Sequence, residues 1–248
     1  AEYCGNDVEA TEEVFGATMH DYTARLILSK LSGLNVNATT IQHAAAVLFG
    51  NESRPQDKFI YTDLSERFPG YKYSFGKSEY RGEDPGEGGY VYSEPGVYTD
   101  VVLLDVTSEH PTSLIEMNYF GPYTQKYADL KQTRIYIKHG DLESAKKMFG
   151  GILEEFLQNP ESADMLSYAL KIIINIVYGM TSAKFNNKFR HKLNQNNIVA
   201  KRGALFMINL KHEVQKRGYT VAHIKAGAIK IPNADQKIID FVFAYGKE

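Results

Sequence analysis

The stretch that decides the fold is residues 86–118, GEGGYVYSEPGVYTDVVLLDVTSEHPTSLIEMN. Two adjacent glycines lead into alternating Tyr and Val, which reads as a strand running to a Pro95-Gly96 turn. VVLLDV (101–106) is nearly continuous in apolar residues, the pattern of a strand buried on both faces. One charge, Asp105, interrupts it near its end. Pro111 then suits the first turn of a short helix running to about Asn118. A carboxylate at the end of a buried strand is held rigidly enough to serve as a ligand. The alternative for Asp105 is a cap for the helix that carries Pro111.

On the N-terminal side, residues 6–33 read as a helix capped by Asp7, with an apolar stripe of Ala24, Leu26, Ile27 and Leu31 and a stop at Gly33. Residues 37–49 read as a second helix ended by Gly50. Residues 51–88 are rich in Gly, Pro, Tyr and charge and read as a long connecting region. On the C-terminal side, residues 133–138 look extended. Residues 141–158 look helical, capped by Asp141 and closed by Asn159-Pro160, and 162–181 form the second arm of a helical hairpin. A third long helix spans 196–217 and stops at Gly218. HIKAGAIKI (223–231) then reads as a tight hairpin whose tip, Ala226-Gly227, needs a residue tolerant of positive φ; Gly227 is expected to supply it. Asn233 is expected to cap a last helix, 234–245. Strands and helices do not alternate regularly, so the class is α+β.

The composition removes several function classes. With 248 residues, 43% hydrophobic, the chain can bury the core of one or two domains. A net charge of −2 means that any nucleic-acid contact must rest on a local patch. Cys4 is the only cysteine, which excludes an internal disulfide and a cysteine metal site and points to an intracellular protein. The acidic start is not a signal peptide. The longest apolar run, Ala169 to Val177, carries Lys171 and Asn175, so no membrane span is expected. Walker, GxGxxG, HExxH and GxSxG motifs are absent from the sequence.

Three segments in order carry a resemblance. Residues 86–118 resemble the stretch of family B DNA polymerases that runs from a Gly-Gly connecting motif into polymerase motif A, here Asp105-Val106-Thr107-Ser108-Glu109-His110-Pro111. LKIIINIVYGMTSAKF (170–185) is similar to motif B, through Lys171, Asn175, Tyr178 and Gly179. HIKAGAIKIP sits where motif C belongs, and the phage-encoded members are the most similar. The resemblance covers most of residues 86–248. It implies a polymerase palm, an antiparallel sheet bearing the motif C hairpin, and fingers built as a helical hairpin, preceded by a mostly helical exonuclease remnant. The implied divisions are 1–50 (end of an exonuclease-like domain), 51–88 (connection), 89–140 (palm), 141–192 (fingers) and 193–248 (palm).

The resemblance also implies roles. Asp105 and the carbonyl of Val106 would hold Mg²⁺ or Mn²⁺. Ser108, on the turn after them, and Lys171, Asn175 and Tyr178, at helical spacing on one face, would bind the dNTP. His110 would pack against the deoxyribose, with a structural histidine as an equal alternative. KFNNKFRHK (184–192) interleaves Phe185 and Phe189 with Lys184, Lys188, Arg190 and Lys192, a patch suited to a DNA primer-template or simply a solvated loop; Lys201 and Arg202 could extend it. Tyr3 and Asp7 resemble the third exonuclease motif. The chain would be a fragment without proofreading or a thumb, a monomer, acting away from membranes in the cytoplasm of a phage-infected bacterium.

Motif C departs from the family pattern. Gly227 stands where the second metal-binding carboxylate belongs, flanked by Ala226 and Ala228. Loss of that ligand is expected to disable DNA-directed nucleotidyl transfer. The alternative is a non-catalytic protein binding nucleic acid or nucleotide on a polymerase scaffold. Ile176 replaces the usual Ser of motif B, and Glu109 replaces an apolar residue in motif A. Glu109 projects from a different turn and is not expected to substitute for the missing carboxylate.

Overall fold

The computed structural model describes residues 2–247, with side chains from residue 4 onward. The chain forms two compact units, one running to Pro55 and resuming over Gln125–Val177, the other made of Gln56–Thr124 and the chain from Tyr178. The fold is α+β, with small antiparallel sheets among many helices.

The first unit is helical. Helices α1 (Glu2–Ala17) and α2 (Met19–Ser32) are separated at Thr18. The Thr18 hydroxyl donates back to the Val14 carbonyl at 2.8 Å, a competitor for the helical ladder. The single helix expected over 6–33 is therefore two, and Asp7 lies inside α1 rather than at its cap. Gly33 ends α2 with φ 70°, as expected. Helix α3 (Thr40–Phe49) starts on a reciprocal capping box between Thr39 and Gln42. Arg25 ties down the intervening loop by donating to the carbonyls of Val36 and Ala38.

In the second unit come α4 (Leu64–Arg67), the hairpin β1 (Lys72–Ser74) and β2 (Lys77–Glu79), then β3 (Val91–Ser93), β4 (Val101–Asp105) and α5 (Glu109–Glu116). Helix α6 (Thr124–Lys138) returns to the first unit and contains residues 133–138, which were expected to be extended. Tyr127, Leu130, Thr133 and Ile137 are buried at helical spacing there, and that packing overrides the β-branched propensity of the segment. Helix α7 (Leu142–Lys147) is capped by Asp141, but the expected helix over 141–158 breaks where Phe149 and Gly150 turn left-handed, with φ 51° and 66°. Asn159 and Pro160 open the next helix as well: the Asn159 side chain accepts from the Ser162 N–H at 2.9 Å.

Helix α8 (Pro160–Ser182) crosses from the first unit into the second. Leu166, Leu170, Ile173 and Val177 are buried, while Asp164, Tyr168, Lys171 and Asn175 form an exposed stripe. Among the described residues it is the one helix long and apolar enough to cross a membrane by length and composition, and 44% of its most apolar window is buried in the protein.

The rest of the second unit is α9 (Ile198–Lys216), β5 (His223–Lys225), β6 (Ala228–Pro232) and α10 (Gln236–Tyr245). The four-stranded sheet has the order β3-β5-β6-β4 and is antiparallel throughout. Ile224, Ile229 and Ile231 bury one face; Asp105, Lys225 and Lys230 stand exposed on the other. Strand β4 is an edge, and Leu103 is 56% exposed, so it is not buried on both faces as its apolar run suggested. Asp235, not Asn233, caps α10, accepting from the Ile238 N–H at 3.0 Å. Asn233 sits at φ 49° and donates its N–H to the Asp100 carbonyl.

Two polar clusters fix the loops of this unit. Fully buried Tyr119 accepts from the His191 N–H at 2.9 Å, and Asn194 accepts from the first N–H of α9 at 3.0 Å. Lys211, 4% exposed, donates to Glu83 and to the Tyr90 hydroxyl, and lies 4.1 Å from the Tyr92 ring centre. His212 meets the other Glu83 oxygen at 2.8 Å. Burial alone would raise the Glu83 pKa, but the hydrogen bonds from Lys211, Tyr90 and His212 outweigh it and hold the carboxyl below its usual range. Lys211→Met keeps the stem and leaves Glu83 without its main partner. It is expected to destabilise the protein by about 3 kcal/mol in urea unfolding. A loss of well under about 1 kcal/mol would show the cluster to be solvated.

Candidate nucleotide and metal site

The geometry begins with strand pairing. Asp105 ends β4 opposite Ala228 of β6, and the Val106 N–H adds one further rung by donating to the Gly227 carbonyl at 3.0 Å. Asp105 and the hairpin tip are therefore neighbours, with the exposed Asp105 side chain on the open face of the sheet. Beyond Val106 the chain turns at Ser108, which has φ 54° and makes no side-chain cap, and α5 begins at Glu109 with Pro111 in its first turn.

The hairpin tip works differently from the sequence expectation. Ala226, not Gly227, takes the left-handed conformation, with φ 49°. Its N–H donates to the Tyr90 carbonyl at 2.9 Å. Gly89 lies against it, so close that a Cβ there would come within 3.4 Å of the Ala226 Cβ. Asn197, just before α9, and Lys201 within it donate to the carbonyls of Glu87 and Gly86 and hold this glycine-rich loop in place. Space at Gly227 is tight instead. A Cβ at 227 would lie 3.2 Å from the Glu109 Cβ, 3.3 Å from its Oε2 and 3.3 Å from the Val106 Cβ.

Glu109 is thus beside the tip. Gly203, in the middle of α9, receives its other oxygen: a Cβ at 203 would overlap Glu109 Oε1. That oxygen is buried and makes no hydrogen bond. Burial, then the nearby Asp105 charge, pushes the Glu109 carboxyl from 4.5 up to about 7, with the Arg202 charge opposing the rise. Gly203, a glycine inside a long helix, is the sequence signal for this close approach.

His110 and Tyr178 also come together. Their rings stack with centroids 4.0 Å apart and planes 13° from parallel. Burial lowers the His110 pKa, which favours a neutral ring, and burial raises that of Tyr178. Lys171 and Asn175 are exposed on α8 within the first unit. Asp7 is exposed on α1, and the Tyr3 side chain lies outside the described residues.

The basic segment after α8 is only partly available. Lys184, Phe185, Arg190 and Lys192 line a cleft of about 380 Å³. Phe189 is fully buried, so it is not part of an aromatic surface. Arg190 is spent on the carbonyls of Ala183 and Asn194, and Lys192 pairs with Asp57 at 3.0 Å. Lys188 is half-buried. Lys201, 3% exposed, cannot extend the patch, because its ammonium is held on Gly86. Arg202 is also turned inward, with Ser113 at 3.5 Å.

No group of three or more His, Cys, Asp or Glu side chains able to hold a metal ion occurs among the described residues. The donors at the end of β4 that suit a hard divalent cation are the exposed Asp105 carboxylate and the Val106 carbonyl. The Glu109 carboxyl instead fills the space between Gly203 and Gly227.

No protein-family model and no curated relative matches the chain. Among solved structures it is similar to the family B DNA polymerase from the hyperthermophilic archaeon Pyrobaculum calidifontis, with a TM-score of 0.49 and 14% identity, covering 96% of this chain. The chain spans 32% of that polymerase's length.

The Glu109 environment has a pH signature in metal-free solution. Its folded pKa is raised, so the folded state holds a proton that the unfolded state releases. The resulting stability is present below the unfolded value of 4.5 and is lost as pH rises to about 7. A loss of about 3 kcal/mol is expected over that window, and Glu109→Gln should flatten it. Denaturant unfolding in EDTA at several pH values reads this directly. Equal slopes for both proteins would place the titration elsewhere.

Proposed function

We propose that the chain is a family B-type DNA polymerase segment of the phage-encoded kind, which binds a DNA primer-template and a dNTP at the end of β4. The observation that carries this is the adjacency of Asp105 and the β5–β6 tip through the Val106–Gly227 hydrogen bond. Motif order in the sequence asks for that meeting, although Asp105 and Gly227 are separated by more than a hundred residues.

In this reading a divalent ion, Mg²⁺ or Mn²⁺, is held from Asp105 and the Val106 carbonyl. When bound, it would neutralise triphosphate charge and lower the pKa of a primer hydroxyl. Ser108 and the amides of the turn face the phosphates, and His110 stacked on Tyr178 walls the sugar and base; Lys171 and Asn175 are assigned to the dNTP by motif order alone. Lys184 and its neighbours bind the nucleic-acid backbone, with Lys188, Arg190 and Lys192 in the supporting loop. Tyr3 and Asp7 are the remnant of the third exonuclease motif. The protein acts as a monomer in the cytoplasm of the phage's bacterial host.

Gly227 favours a second reading for turnover: a scaffold that binds nucleotide and nucleic acid without transferring. Primer extension and dNTP binding separate the two. We expect dNTP and primer-template binding that needs Mg²⁺ or Mn²⁺ and weakens about tenfold or more in Asp105→Asn, with no measurable extension. Extension abolished by Asp105→Asn would make the chain an active polymerase. Absence of any cation-dependent nucleotide binding would remove the polymerase reading.

A further inference from the structure

In the second unit a cavity of about 530 Å³ opens beside the β1–β2 hairpin, lined by Tyr61, Asp63, Tyr71, Lys72, Tyr73 and Asn196 among others. Its size falls within the range of natural ligand sites, about 300–1,000 Å³. Two of its rings are open to a ligand: Tyr61 is 36% exposed and Tyr73 42%. The third, Tyr71, is only 6% exposed, and its hydroxyl is buried without a hydrogen bond. The Ser78 hydroxyl and the Asn196 side-chain oxygen are buried and unpartnered as well. Burial raises the Tyr71 pKa, and Ser78 and Asn196 stand near enough to oppose that rise, yet none of the three groups closes a hydrogen bond. Polar groups left open in this way are costly unless something polar meets them.

The surroundings select the ligand. Asp63 stands in the cavity wall with its carboxylate engaged by the Ser65 N–H at 2.9 Å and the Ser65 hydroxyl at 2.7 Å, and its charge disfavours a phosphate there. A second cleft, of about 330 Å³, shares Tyr73 and Asn196 with the first and adds Lys184. Lys184 also lines the cleft that holds Phe185, whose ring is 57% exposed. His191 of that third cleft has its ring centre 5.5 Å from that of Tyr61. The three clefts are therefore contiguous, and exposed rings and lysines are interspersed along them, the composition of a single-strand track. A nucleobase offers flat faces to Tyr61 and Tyr73 and an edge of donors and acceptors to Tyr71, Ser78 and Asn196. We propose that this cavity takes one unstacked base of a single strand whose backbone passes Lys72 and Lys184. The inference rests on the nucleic-acid half of the proposed function and uses none of the groups at the end of β4.

The test is equilibrium binding of a short abasic DNA strand carrying a single 2-aminopurine, in EDTA so that no cation site contributes. Binding should quench the 2-aminopurine emission as the base stacks, and a wholly abasic strand should bind about tenfold more weakly. Tyr73→Ala, at an exposed position that folding does not need, should weaken binding of the 2-aminopurine strand by about tenfold. Tyr71→Phe removes only a hydroxyl without a protein partner, so the thermal unfolding midpoint should not fall, while binding weakens by about fivefold. Binding that is unchanged by both substitutions and quenches nothing overturns the cavity as a base site and leaves the nucleic-acid reading in place. Absence of strand binding both in EDTA and with Mg²⁺ overturns the two together. Free deoxyadenosine monophosphate bound as tightly as the strand overturns the strand as the source of the base and makes the cavity a mononucleotide site.

Discussion

The arrangement of the site depends on one backbone constraint, the pairing of β4 with β6 carried one rung past the strand end by the Val106 N–H and the Gly227 carbonyl. That register decides which face Asp105 occupies. A slip of one residue would turn Asp105 to the buried side among Ile224, Ile229 and Ile231, where an unpaired carboxylate is not tolerated. It also brings the turn after β4 against the hairpin tip, so that α5 begins beside Gly227. The tip is fixed from its other side by the Gly86–Gly89 loop, which α9 holds through Asn197 and Lys201. Separate parts of the sequence thus converge on the hairpin tip, Ala226 to Ala228.

Glycine at 227 illustrates how a residue can be correctly noticed and wrongly explained. A two-residue tip needs a left-handed position, and glycine is the usual provider. Here Ala226 accepts that conformation and Gly227 is outside it. A side chain at 227 would crowd Glu109 and Val106. The same carboxyl sets the requirement at Gly203, so a pair of glycines from two elements is explained by one side chain. Mutual packing of this kind is invisible along the chain, because no local period or turn signal relates residues 109, 203 and 227.

Much of the architecture was nevertheless legible. The helical texture, the hairpin at 223–231, the stop at Gly33 and the cap at Asp141 follow from local rules and are present in the structure. Several of the failures share one cause, the override of local signals by packing. TRIYIK has strand-forming residues but is a helix because its buried positions recur at helical spacing. VVLLDV is apolar enough for a central strand but lies at a sheet edge, since an apolar run does not encode how many neighbours a strand has. The basic segment 184–192 reads as a uniform charged patch, yet Arg190 is consumed by backbone carbonyls and Phe189 by the core. Asp105 could be singled out because its position in a motif is a local fact. The packing of Glu109 could not, because it arises only when α5, α9 and the hairpin meet.

The central proposal is that Asp105, with the Val106 carbonyl, holds a divalent cation at the β4 end beside the hairpin tip. The most direct measurement is the anomalous scattering of Mn²⁺ in crystals of the chain soaked with that ion. The account predicts a peak within metal–oxygen bonding distance of the Asp105 carboxylate, beside the 226–228 turn. No peak at Asp105 at saturating Mn²⁺ would contradict it.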